Sequence, residues 1–259
     1  GGRLPLVKPY AAGRVAGARL EPQPDDDVPR FDYERHVRAL VDERVWPDST
    51  RQISELRLTV RYESASFLSR RIGSGKLHVD IVDYPGEWLL DLPLLDKSYA
   101  EWSREALVKA GTAAHRGRAD AWLRKLATTD PSAPEDETAA RDLAATVTQY
   151  LRDLRSDNSA VATEPPGRFL MPGDLDNSPA LTFAPLNNVG AASPAGSLTR
   201  MMERRYEAYK NVVVRPFFRD HFARLDRQIV LVDVLNALNG GATAVAELEA
   251  ALAGVLGSF

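Results

Sequence analysis

Four residues of this chain have the types and spacing to handle a metal-bound phosphate: Thr50, Asp83, Gly86 and Glu87. Asp83 closes the run Leu77-His78-Val79-Asp80-Ile81-Val82-Asp83, whose apolar residues alternate with His78 and Asp80 as in a β-strand. Tyr84-Pro85-Gly86 then stops sheet pairing, because Pro85 has no N–H and Gly86 lets another group approach its backbone. A carboxylate at the C-terminal end of a strand, followed by a glycine turn, suits a phosphate site, since ligands of open α/β sheets gather beyond the carboxyl ends of the strands. Asp83 would hold Mg²⁺ through a water, the Gly86 amide would face a terminal phosphate, and Glu87 stands where a water-orienting side chain would be. Thr50, in the loop before the preceding strand, would close on metal and phosphate, with Ser49 as the alternative. Arg44 or Arg51 could stabilise transition-state charge.

Each of these residues also has a plainer explanation. Asp-x-Pro-Gly is ordinary turn chemistry. A hydroxyl such as that of Thr50 often caps a turn, Glu87 beside Trp88 can equally point into solvent, and Arg44 and Arg51 suit a surface. Asp80, Asp83, Glu87 and Asp91 imitate a carboxylate metal cluster, but strand alternation sends Asp80 and Asp83 to opposite faces, and Asp91 falls on the segment beyond.

The elements that must position these groups follow from periodicity. Asp32 is a candidate N-cap for a helix to about Arg44, with Tyr33, Val37, Leu40 and Val41 at helical spacing and His36 packing at the core edge. Leu56, Leu58, Val60 and Tyr62 alternate along a strand that would pair antiparallel with the Asp83 strand. Trp88, Leu89, Leu90 and Leu92 fit one face of a short helix. Helical patterns follow over 99–127 and 135–154, the latter with Leu143, Val147, Tyr150, Leu151 and Leu154 on one side. A long helix begins at Ser197, carries Met201, Met202, Tyr206, Tyr209, Val213 and Phe217, and is open to division at Pro216. The run 228–235 is apolar enough for a core strand, and residues 243–259 read as a helix.

A chain of 259 residues, 44% hydrophobic and 27% charged, buries a sizeable core unaided. A net charge of −3 argues against a nucleic-acid footprint. There is no cysteine, hence no disulfide or thiolate site, and this is compatible with a reducing cytoplasm. No apolar run has the length of a membrane span. His36, His78, His115 and His221 lack metal-ligand spacing.

The string Asp-Tyr-Pro-Gly-Glu-Trp-Leu-Leu-Asp-Leu-Pro from Asp83 to Pro93 resembles the YcjX-like family of bacterial P-loop GTP-binding stress proteins. Arg3-Leu4-Pro5-Leu6, Pro29-Arg30-Phe31-Asp32-Tyr33, Trp46-Pro47, Pro166-Gly167-Arg168-Phe169 and Asp226 to Asp233 extend the resemblance over nearly the whole chain. It implies an α/β fold with a Ras-like P-loop NTPase core, mostly parallel with an antiparallel edge hairpin and incomplete at both ends, carrying a large helical insertion. The expected organisation is a partial GTPase-like core at 1–97, the insertion at 98–199, and a return to the core at 200–259 through the strand 228–235. The implied ligands are GTP or GDP with Mg²⁺, held by Thr50, Asp83 and Gly86, with Glu87 catalytic. A protein partner would dock on the insertion.

Neither Gly-x-x-x-x-Gly-Lys-[Ser/Thr] nor [Asn/Thr]-Lys-x-Asp occurs in the chain. The expectation is therefore an internal portion of a longer, cytoplasmic GTPase, with these residues binding nucleotide poorly by themselves. Two other classes stay open, a nucleotide-switched or non-catalytic interaction module and an ATPase.

Overall fold

The alternation of residues 54–62 and 75–83 produces two long strands, and a third lies on the far side of the first. In the computed structural model, which describes residues 8–47, 50–63, 75–156, 163–176, 178–189, 193–220 and 222–258, β1 (Val15–Glu21), β2 (Ser54–Tyr62) and β3 (Gly75–Asp83) form an antiparallel sheet in the order β1-β2-β3. The register sets Leu56 opposite Ile81, Leu58 opposite Val79 and Leu20, and Val60 opposite Leu77 and Ala18. One face is therefore apolar. The other carries Arg57 opposite Asp80 and Thr59 opposite His78 and Arg19. Arg57 donates to both Asp80 oxygens, at 2.5 and 2.6 Å, and Thr59 donates to Glu21 Oε2 at 2.6 Å. The segment at Arg30 bridges in parallel to Glu55, adding Phe31 N–H to Glu55 O (2.8 Å) and Glu55 N–H to Pro29 O (2.9 Å).

The chain divides into two compact units, Gly1–Pro85 and Gly86–Phe259. The boundaries expected at 97/98 and 199/200 thus fall inside the second unit. The segment Gly86–Asp96, where a short helix was expected, is a succession of 3₁₀ turns that buries Trp88, Leu89, Leu92 and Leu94 in helical surroundings. Three residues per turn stack Trp88, Asp91 and Leu94 on one side.

The first unit also contains α1 (Lys8–Ala11) and α2 (Tyr33–Arg38), which widens into a π turn over Ala39–Glu43. Asp32 caps α2 by accepting from Arg35 N–H at 3.2 Å, and His36 stacks on Phe31 at 4.9 Å between ring centroids. The second unit holds α3 (Tyr99–Ala110), α4 (Arg116–Ala127), α5 (Glu137–Ser156), α6 (Leu198–Tyr209), α7 (Arg215–Asp220), α8 (Val234–Asn239) and α9 (Ala242–Leu256). Ser98 and Glu101 form a reciprocal capping box on α3. Between α6 and α7 lies a π turn over Lys210–Val214; it sits just before Pro216, whose missing N–H and ring disrupt the regular ladder of a helix. The core is aromatic: Trp102 stacks on Tyr206 at 5.1 Å, and Phe183 meets Trp102, Phe169, Tyr206 and Tyr209 at 5.0–5.8 Å. Buried His115 joins α5 to α9, its Nδ1 2.7 Å from the Tyr150 hydroxyl and its Nε2 2.8 Å from Glu247 Oε1.

Among the described residues the expected mostly parallel sheet is not observed, since the three strands found there pair antiparallel. The run 228–235 is no strand here. Asp233 accepts from Asn236 N–H at 3.0 Å and so caps α8, which starts at Val234. Ile229 and Leu231 are 85% and 91% exposed. An apolar run becomes a strand only where neighbouring strands take up its N–H and C=O groups, and among the described residues none pairs with it.

Candidate functional site

Asp83 is the last residue of β3, where register sets it opposite Ser54 at the start of β2. The loop entering β2 therefore arrives at the same end of the hairpin. There the Thr50 hydroxyl donates to Asp83 Oδ2 at 2.7 Å, across 33 positions of sequence. Both side chains are half-buried. The pair offers hydroxyl and carboxylate oxygens, hard ligands of the kind that Mg²⁺ takes, and a Mg²⁺ site needs only one or two protein ligands beside waters and phosphate oxygens. The donor set fits that ion. Among the described residues no cluster of three His, Cys, Asp or Glu side chains could hold a metal by itself. Ser49 lies outside the described residues.

Gly86 and Glu87 belong to the second unit. Gly86 is exposed, and a Cβ there would meet nothing within 4 Å among the described residues. Packing does not demand a glycine at 86, while its absent side chain leaves the amide approachable. Glu87 is half-buried and ion-pairs with Arg155, near the end of α5, at 2.7 Å. Arg44 and Arg51 are exposed. Arg44 is left-handed (φ 56°) and ends the α2 π turn, a conformation that glycine adopts more easily.

Asp91, assigned above only to the segment beyond the turn, proves to be a buried anchor. It is 1% exposed and accepts from Gly167 N–H (2.7 Å), Arg168 N–H (3.3 Å) and the Tyr209 hydroxyl (2.6 Å). Burial pushes its carboxyl up to about 6, against the pull of these donors and of Arg168. The Arg168 guanidinium lies 3.2 Å from the centre of the Trp88 ring, whose N–H donates to Met171 O at 2.9 Å. A Cβ on Gly167 would fall 1.8 Å from Glu87 O. An acidic residue three positions from both Trp88 and Leu94 was the available signal, since that spacing matches 3₁₀ turns.

Among the described residues no helix is long and apolar enough to cross a membrane. The profile of the YcjX-like family matches residues 1–259. The chain is 38% identical over 272 residues to the Ras-like GTPase YcjX of Escherichia coli K12, covering 100% of this chain and 57% of that protein. It is 37% identical over 265 residues to the Ras-like GTPase YcjX of Shewanella oneidensis MR-1, covering 99% and 54%. The chain thus spans little more than half the length of these relatives, and over its own length it belongs to the YcjX-like family.

Proposed function

We propose that the intact protein binds GTP with Mg²⁺ and hydrolyses its terminal phosphate. The observation that carries this reading is the Thr50–Asp83 hydrogen bond at the carboxyl end of β3. A threonine from the loop before β2 and the terminal aspartate of β3 are the two oxygen donors that the metal end of such a site requires. The relatives' name, Ras-like GTPase, favours guanine nucleotide over ATP.

Asp83 would accept hydrogen bonds from metal-bound water, and the Thr50 hydroxyl would exchange its bond to Asp83 for the metal. The bound ion would supply neutralisation of charge building on the phosphate oxygens. Gly86 N–H would donate to the terminal phosphate, and the Glu87 carboxylate would orient the attacking water. Arg44 and Arg51 remain candidates for a charge-stabilising arginine. Thr50 breaking from Asp83 is a natural ordering event for a switch loop. Residues 1–259 contain no Gly-x-x-x-x-Gly-Lys loop to cradle the phosphates, and their nucleotide affinity alone is expected to be weak. A stress-response role in the cytoplasm and a protein partner on the helical unit extend the same reading.

The test is GTP and ATP titration of the intact protein with and without Mg²⁺, followed by turnover. Asp83→Asn should weaken the Mg²⁺ dependence of binding and lower turnover by about 10²-fold or more. Equal affinity for ATP would replace GTPase by ATPase. Tight binding with no turnover in the wild type would leave a nucleotide-switched interaction module.

A further inference from the structure

The stretch Glu87–Asp91 is gripped unevenly. At its far end Trp88 and Asp91 are sealed in, Trp88 by Arg168, Met171 O and the edge of Phe217 at 5.5 Å, and Asp91 by three donors. At its near end Glu87 is held differently. Its backbone carbonyl abuts Gly167 so closely that no Cβ fits, but its carboxylate is held by Arg155 in a pair whose side chains remain 20% and 31% exposed. A pair so open to water contributes little, on the order of a fewfold in equilibrium terms. The firm part of the grip therefore fixes the backbone, and the weak part decides only where the Glu87 carboxylate points.

We propose that Arg155 is an autoinhibitory latch: from the last turn of α5 it occupies the Glu87 carboxylate and withholds it from water until the pair is broken. The proposal rests on the reading of Glu87 as the water-orienting group. A carboxylate bonded to a guanidinium has one oxygen engaged and is a poorer acceptor for water. Releasing it needs no repacking, since Trp88 and Asp91 keep the segment in place. The input is an event that moves the end of α5 and so parts Arg155 from Glu87.

The experiment compares wild type, Arg155→Gln, Glu87→Gln and the double variant in the intact protein. Amide exchange of the 86–91 stretch without nucleotide should stay unchanged in Arg155→Gln, because Gly167, Trp88 and Asp91 keep the backbone in place. The fewfold weight of the pair sets the size of the effect on hydrolysis. Single-turnover GTP hydrolysis should rise by a similar factor, with GTP affinity unchanged, and the rise should vanish in the double variant. Faster exchange in Arg155→Gln overturns the latch, since the pair would then hold the backbone and not only the carboxylate. So does a fall in hydrolysis, which would make Arg155 a charge-stabilising arginine. The underlying reading fails differently: Glu87→Gln alone would leave hydrolysis intact, or the wild type would show none, and the inhibitory role falls with it whatever the exchange data show.

Discussion

The sheet unit and the helical unit use similar residues to opposite ends. In Gly86–Phe259, Tyr99, Trp102, Trp122, Phe183, Met202, Tyr206 and Tyr209 are almost wholly buried. In Gly1–Pro85, Leu56 is the one large apolar side chain that is buried among the described residues, while Leu77 and Ile81 on the apolar face of β3 stay 53% and 47% exposed and Trp46 is 85% exposed. The sheet is held by backbone ladders and cross-strand polar pairs, and the helices by packed rings. Periodicity guarantees an apolar face but not a cover for it. A strand pattern is local; burial needs a second layer. The helical unit supplies its own second layer, and the chemistry assigned to Thr50 and Asp83 sits on the unit whose described apolar face is about half exposed.

The largest test of this contrast is a pair of truncations. Phe183→Ala should cost about 3–5 kcal/mol in urea unfolding, whereas Ile81→Ala should cost under about 1 kcal/mol, because half of its surface is already wet. Three of the four tryptophans, Trp88, Trp102 and Trp122, belong to the helical unit and report its unfolding by emission, while amide exchange of β2 and β3 reads the sheet unit. Equal costs would end the comparison.

Asp91 sharpens it through pH. Its folded pKa of about 6 lies above the ordinary value of 3.8. The folded state therefore holds the proton longer than the unfolded state. The stability from this group is full below about pH 4 and is lost as pH rises through 6, by on the order of 3 kcal/mol. Stability of wild type relative to Asp91→Asn, measured by urea titration from pH 4 to 7, should fall by about that amount. A flat difference would mean that the three donors offset burial completely.

Two glycines give the next contrast. Gly167→Ala should cost about 1–3 kcal/mol, since the collision is with Glu87 backbone rather than with a movable side chain. Gly86→Ala should stay within about 0.5 kcal/mol in stability, since a methyl fits there, and should weaken nucleotide binding by the intact protein if its amide meets phosphate. Smallest of all, Arg57→Ala on the polar sheet face should lower stability only slightly, as the ion pair with Asp80 is partly solvated; thermal melting in low and high salt would register it.

Much of the local structure was legible. Alternation identified β2 and β3, and helical spacing identified α5 and α6 together with the buried faces Leu143–Leu154 and Met201–Phe217. One expectation was wrong, and one role was not read. Residues 228–235 were expected in the sheet because apolar runs look alike whether paired or not, and Asp233, whose side chain caps α8, was the overlooked sign. Asp91 was passed over because a single carboxylate has no period, and its partners Gly167, Arg168 and Tyr209 lie 76 to 118 positions away.

By itself the sequence determined β2 and β3, the long helices and the kinship to YcjX-like proteins, all of which depend on neighbours within a few residues or on a contiguous motif, whereas β1 (Val15–Glu21) was not read from it. Only tertiary structure decided that Thr50 reaches Asp83, that Arg155 holds Glu87, and that Asp91 is a buried anchor. Those contacts join distant parts of the chain, and nothing in local propensity encodes which distant side chain will come within hydrogen-bond reach.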